Sequence, residues 1–199
     1  MLHLLSHKFE HRKVPDHILG DGKILDIGCG RSKLEGAIGL DHVQFPGVDI
    51  VADLNQPLPI EDATFDAVHA DQVLEHVDNL VGLIYEVHRI LKPGGVFLAT
   101  VPYFRSAWAY IDPTHVRCFT LYSMNYYVKG TREYEYYRFQ DEAFSSVEIF
   151  LDSTFPSTTS RKVFSSLALR NPVKFENSIL SSLYPFQHLS FLLRKGESE

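Results

Sequence analysis

The chain has 199 residues, 45% hydrophobic and 22% charged, which suits one globular domain burying roughly 70% of its unfolded surface. The net charge of −6 supplies no global basic field to gather phosphates, so nucleic acid is disfavoured as the main partner. Cys29 and Cys118 lie far apart without metal-ligand spacing, which fits a reduced, cytoplasmic setting, and no apolar run reaches the length of a membrane span.

In chain order, residues 1–20 read as a lead segment, an amphipathic helix whose brief apolar cluster is too short for a secretory signal. Four short apolar runs follow: Ile24–Ile27, Ala37–Leu40, Val48–Ala52 and Ala67–Ala70. Short continuous apolar runs are the pattern of buried parallel strands. Between Asp78 and Leu91, Leu80, Leu83, Ile84, Val87, Ile90 and Leu91 recur at helical spacing, with Asp78 or Asn79 as N-cap. Lys92-Pro93-Gly94-Gly95 stops that helix, and Val96–Val101 is the next strand. Strand, helix, glycine turn and strand make βαβ units, and therefore an α/β fold. Beyond Pro102 the alternation loosens. Thr120 is expected to cap a short helix over Leu121–Val128, and Phe144–Leu151 and His188–Leu193 read as late strands. Between those strands lie a Ser/Thr-rich stretch, Ser153–Ser166, and an apolar patch, Ile179–Phe186.

The segment KILDIGCG (23–30) runs a strand into a turn with glycines at 28 and 30. Such a turn lets a backbone approach a nucleoside-type ligand at the carboxyl end of a sheet. Each of the four apolar runs ends at or beside an aspartate: Asp26, Asp41, Asp53 and Asp71. Acids at neighbouring strand ends converge on one crevice, where they accept hydrogen bonds from ribose hydroxyls, an exocyclic amine or an ammonium. Individually, each can equally cap a helix or end a strand. Asp41 follows Gly28 too closely for a dinucleotide fingerprint, and Lys33 stands where its third glycine would be. A nucleoside ligand without pyrophosphate is the better match.

With LDIGCG (25–30), GLD (39–41), VADLNQPLPIEDATFDAVHADQVLEHV (51–77) and LIYEVHRILKPGGVFLATVP (83–102), the chain resembles class I S-adenosylmethionine-dependent methyltransferases, particularly the type 11 group. The resemblance implies a Rossmann-like three-layer sandwich. Its seven-stranded, mostly parallel sheet would have order 3-2-1-4-5-7-6 with the last strand antiparallel. The whole chain, 1–199, would be a single methyltransferase domain, with residues of about 103–187 as an insert-rich substrate side. Asp26, Gly28, Cys29 and Gly30 would line the methionine part of S-adenosylmethionine, and Asp41 would take the ribose hydroxyls. Asp53 and Leu54 would address the adenine, and Asp71 and Gln72 would close the pocket. The segment between Gly30 and Asp41 holds only a turn or so, leaving a loop-built wall from which Arg31 or Lys33 can reach the cofactor carboxylate.

Methyl transfer from a sulfonium needs in-line placement, exclusion of water and, for a hydroxyl or ammonium nucleophile, a base. Two candidates are His76, at the lip of the crevice, and His115 in DPTHVRCFT (112–120); either can instead hold or pack its loop. Arg117 can hold an anionic substrate group. Tyr103 and Trp108, with Phe104 and Tyr110, can stack on a planar acceptor or form core beneath a lid. The later tyrosines, from Tyr122 to Tyr137, read as packing of the C-terminal subregion or a homodimer interface. The ten histidines make no H-x-x-x-H pair worth calling a metal site, so none is expected. The expected activity is methylation of a small-molecule or glycan- or lipid-linked acceptor. Alternatives are a non-catalytic cofactor-binding or scaffolding module, or a protein or RNA methyltransferase.

Overall fold

The computed structural model describes residues 22–139, 141–152, 158–184 and 186–197. An interior strand of its sheet is β1 (Ile24–Ile27), whose Leu25 and Ile27 have no solvent exposure. On one side β1 pairs in parallel with β2 (Ile38–Asp41), which pairs in parallel with the two-residue β3 (Ile50–Val51). On the other side lie β4 (Phe65–Asp71) and β5 (Leu91–Pro102), also parallel. β6 (Ser146–Asp152) and β7 (His188–Arg194) complete a seven-stranded sheet of order β3-β2-β1-β4-β5-β7-β6, with β7 antiparallel to both neighbours. The expected architecture and strand order are therefore present. Only Ile50–Val51 of the Val48–Ala52 run becomes strand.

Helix α1 (Leu80–Ile90) begins at Asn79, whose side chain accepts from the Gly82 N–H. Its buried Leu80, Leu83, Ile84, Val87 and Ile90 pack on the sheet face that carries Leu25, Val68, Phe97 and Ala99. The opposite face presents Ala67, Val96, Leu98, Phe150 and Leu192. Strand periodicity thus separates Val96 and Leu98 from Phe97 and Ala99. The Lys92–Gly95 breaker bulges out of the β4–β5 pairing, where Phe65 pairs with Leu91 and Ala67 with Val96.

The expected helix over Leu121–Val128 does not form. A single 3₁₀ turn, Asn125–Tyr127, takes its place. Tyr122, Asn125, Tyr126, Tyr127 and Val128 are weak helix formers. Buried Leu121, Met124 and Tyr127 follow a three-residue spacing, and a bridge from Val128 to Phe144 extends the chain. The remaining helices are α2 (Trp108–Ile111), α3 (Arg132–Tyr137), α4 (Thr158–Arg170), α5 (Pro172–Glu176) and α6 (Leu180–Leu183). α4 occupies much of the Ser/Thr-rich stretch and α6 half of the apolar patch. The lead segment 1–20 and residues 153–157 lie outside the described residues. Among the described residues no helix is long and apolar enough to cross a membrane.

Candidate functional site

The carboxyl ends of β1, β2 and β4 open onto a cavity of about 700 Å³, within the range of small-ligand sites. Among the anticipated site residues, Gly28, Asp41, Asp53, Leu54, Gln72 and His76 line it. His42, Asn55, Val73, Val77 and Thr114 line it as well and were not anticipated. Thr114 sits inside the DPTHVRCFT run, the one clue that could have found it. The others flank anticipated residues without a chemical signature of their own.

Two carboxylates face the cavity. Asp41 is buried at the end of β2, its Oδ2 accepting from Gly30 N–H at 2.9 Å and its Oδ1 from Val43 N–H at 3.0 Å. It thus folds the glycine turn back against β2 and retains lone pairs for a ligand. Asp53 Oδ1 accepts from the Asn55 backbone and side chain, shaping the next turn. That wall is clamped from behind by α1, where Glu86 accepts from Leu58 N–H and Arg89 donates to the carbonyls of Leu58 and Ile60.

Two residues with positive φ, Gly28 and Gln72, shape the cavity lining. Gly28 takes φ +64°, and a Cβ there would lie 2.4 Å from Val73 Cγ2. Gln72, at the exit of β4, is held at φ +56°, an uncommon conformation for a residue with a Cβ. Its Nε2 is buried with no hydrogen-bond partner. An orphaned donor beside two acids and the apolar Leu54, Val73 and Val77 fits a ligand carrying polar edges and a flat apolar face.

Several anticipated residues stand elsewhere. Asp26 is buried, and its carboxylate is used by the protein itself: Oδ2 accepts from Leu34 N–H at 2.8 Å and Oδ1 contacts His69 Nδ1 at 2.7 Å. Cys29, Gly30 and Asp71 do not line the cavity. The Cys29 thiol is pushed up to about 11 by burial, and further by the charges of Asp26 and Asp41. Arg31 lies over the Phe45 ring and Lys33 pairs with Asp49 at 2.8 Å, so both hold the loop-built wall. Tyr103 is fully buried, its ring edge-on to Phe104 and Phe186, and so forms core. Trp108 is half exposed and donates to Gln187 Oε1. Arg117 donates to the carbonyls of Val77 and Asp78, pinning one loop to another. Asp26, Arg31, Lys33, Trp108 and Arg117 each meet a protein partner.

The histidine expectation has a different outcome. His76 and His115 come together with their rings edge-on, centroids 4.6 Å apart. Glu75 joins them, with its Oε1 4.0 Å from His115 Nε2. Glu75 is 1% exposed and neither carboxylate oxygen has a hydrogen-bond partner. Burial pushes its pKa up to about 7, and the charges of Asp71 and Asp112 add to the rise. Burial also lowers the pKa of His76, with His115 contributing. The DPTH loop is held here by Val116 N–H donating to the Glu75 carbonyl.

A family model described as a methyltransferase domain matches residues 35–99. The ubiquinone biosynthesis O-methyltransferase of Rattus norvegicus is 33% identical over 113 residues, 44% of this chain and 33% of its own length. The sterol 4-C-methyltransferase of Caenorhabditis elegans is 35% identical over 97 residues, 37% of this chain and 29% of its own. This chain therefore spans about a third of the length of these curated relatives. An S-adenosylmethionine-dependent methyltransferase from Archaeoglobus fulgidus has the same fold, with a TM-score of 0.55 at 22% identity over 90% of this chain and 88% of that one. The strand order and these matches agree: the chain has the fold of S-adenosylmethionine-dependent methyltransferases, and its residues 35–99 match a methyltransferase-domain model.

Proposed function

We propose that this chain transfers a methyl group from S-adenosylmethionine to a small-molecule or glycan- or lipid-linked acceptor. One observation carries the proposal: Gly28, Asp41, Asp53 and Gln72, from successive strand ends, line a single cavity. Asp41 and Asp53 would accept from the ribose and adenine of the donor, Leu54 would pack on the base, and Gln72 Nε2 would donate to a ligand oxygen. When bound, the donor supplies a methyl already activated by its positive sulfur. The protein's task is then to align the acceptor with the methyl–sulfur bond and to keep water out.

The acceptor would enter from the side of His76 and Thr114, cavity residues far along the chain from the glycine turn. His76 and His115, with Glu75 behind them, would act on the proton-bearing atom of the acceptor. The ubiquinone and sterol names of the relatives support an apolar acceptor of modest size. The turns and short helices between Tyr103 and Gln187 would shape its pocket. A cytoplasmic setting suits the two free cysteines, and the exposed tyrosines of α3 suit a homodimer contact.

Calorimetry with S-adenosylhomocysteine, followed by tritium transfer from labelled donor into separate metabolite, protein and RNA extracts, tests this. Micromolar binding and label in the metabolite extract are expected. Label confined to protein or RNA would move the acceptor class, and binding without transfer to any extract would leave a non-catalytic cofactor module. Absence of binding would refute the reading altogether.

A further inference from the structure

Glu75, His76 and His115 present one ligand atom each, all within 4.8 Å of one another. From this cluster we infer a site for a divalent transition-metal ion, bound by two imidazole nitrogens and one carboxylate oxygen at the edge of the cofactor cavity.

The tautomers are the first support. His115 Nδ1 lies 3.2 Å from the Ala109 carbonyl, which can only accept, so Nδ1 carries the proton and Nε2 keeps its lone pair towards Glu75. His76 Nδ1 lies 2.9 Å from Thr114 Oγ1, whose own proton goes to Asp112 Oδ1 at 2.6 Å. That leaves His76 Nδ1 as donor and its Nε2 free. Fixing one ring nitrogen by an acceptor so that the other can ligate is the usual outer-shell arrangement of metal-bound histidine.

The second support is Glu75. A carboxylate 1% exposed with both oxygens unpartnered is costly unless a proton or a cation compensates it. No lysine or arginine bonds to it among the described residues. A small contraction from 4.0 Å would bring its oxygen and His115 Nε2 to a common ion with metal–ligand bonds of about 2.0–2.2 Å. Two imidazoles and one carboxylate favour zinc, manganese or iron over calcium or magnesium, and three protein ligands leave positions open. Because His76 lines the cavity, an open position would face it. Resting on the methyl-transfer reading, the use of such an ion would be to hold an acceptor hydroxyl oxygen and lower its pKa, the proton passing to solvent.

The test is calorimetric titration of the untagged full chain, stripped with chelator, with zinc chloride, and in parallel of Glu75→Gln and His115→Asn. Circular dichroism reports whether each variant is folded. Glu75→Gln keeps shape while removing the unpaired charge, so it is expected to fold. One zinc per chain is expected in the wild type, weakened at least tenfold in both variants, with zinc raising the melting temperature of the wild type only. Equal affinity in wild type and Glu75→Gln would assign the zinc to surface histidines and overturn the inference, as would the lack of a one-to-one site. S-adenosylhomocysteine binding on the same samples keeps the two readings apart. Zinc without it refutes the cofactor site alone, and the reverse refutes the metal site alone.

Discussion

Asp26 offers a sharp test of how this site is held together. It pairs directly with His69 across β1 and β4, and its two oxygens serve Leu34 N–H and His69 Nδ1 at 2.8 and 2.7 Å. Both side chains are almost fully buried, 5% and 7% exposed. Asp26→Ala strands two buried polar groups, each costing about 1–3 kcal/mol, so an unfolding free energy lower by about 2–5 kcal/mol is expected. That is a large share of the roughly 5–15 kcal/mol typical of a domain. Asp26→Asn can still accept from Leu34 and face His69 with its amide after a change of tautomer, so it should lose about 1 kcal/mol. Urea unfolding followed by far-UV circular dichroism is the assay, since the single tryptophan, Trp108, sits half exposed at the start of the short helix α2. Calorimetry should find the Asn variant binding S-adenosylhomocysteine within about threefold of wild type. A loss below about 1 kcal/mol in the Ala variant would refute the hydrogen-bond reasoning. An Asn variant as stable as wild type but with binding abolished would return Asp26 to the cofactor.

Three further outcomes are expected. Asp41→Ala should weaken S-adenosylhomocysteine binding by about 1–3 kcal/mol, roughly 5- to 150-fold by calorimetry, and an unchanged Kd would show that its carboxylate serves only the turn. Gly28→Ala should destabilise by about 2 kcal/mol or more, because φ +64° is strained for alanine and its Cβ meets Val73; adding Val73→Ala should recover part of the loss, and no recovery would discard the clash. With its pKa near 11, Cys29 is about a thousandth thiolate at pH 8, so iodoacetamide should modify exposed Cys118 first and reach Cys29 only in urea. Mass mapping that finds Cys29 alkylated in the native protein would refute that burial.

The one-dimensional pattern determined a great deal. Apolar runs ending in aspartate, a glycine turn after Ile27 and a capped amphipathic helix are local features with local causes, so strands β1 to β5 and helix α1 were legible. Gly28, Asp41 and Asp53 were legible for the same reason, since ends of buried parallel strands gather at one crevice, whereas Gln72 was reached only through the family resemblance. What tertiary structure alone decided is which polar groups remain free once the chain has served its own needs. Asp26 is consumed by Leu34 and His69, and Arg117 by two carbonyls, neither of which any spacing announces. Conversely, Glu75 and His76 meet His115 only because the loop after β5 folds back over the exit of β4, bringing distant segments into one cluster. Short-range periodicity writes the elements, but hydrogen-bond satisfaction is a property of the packed whole.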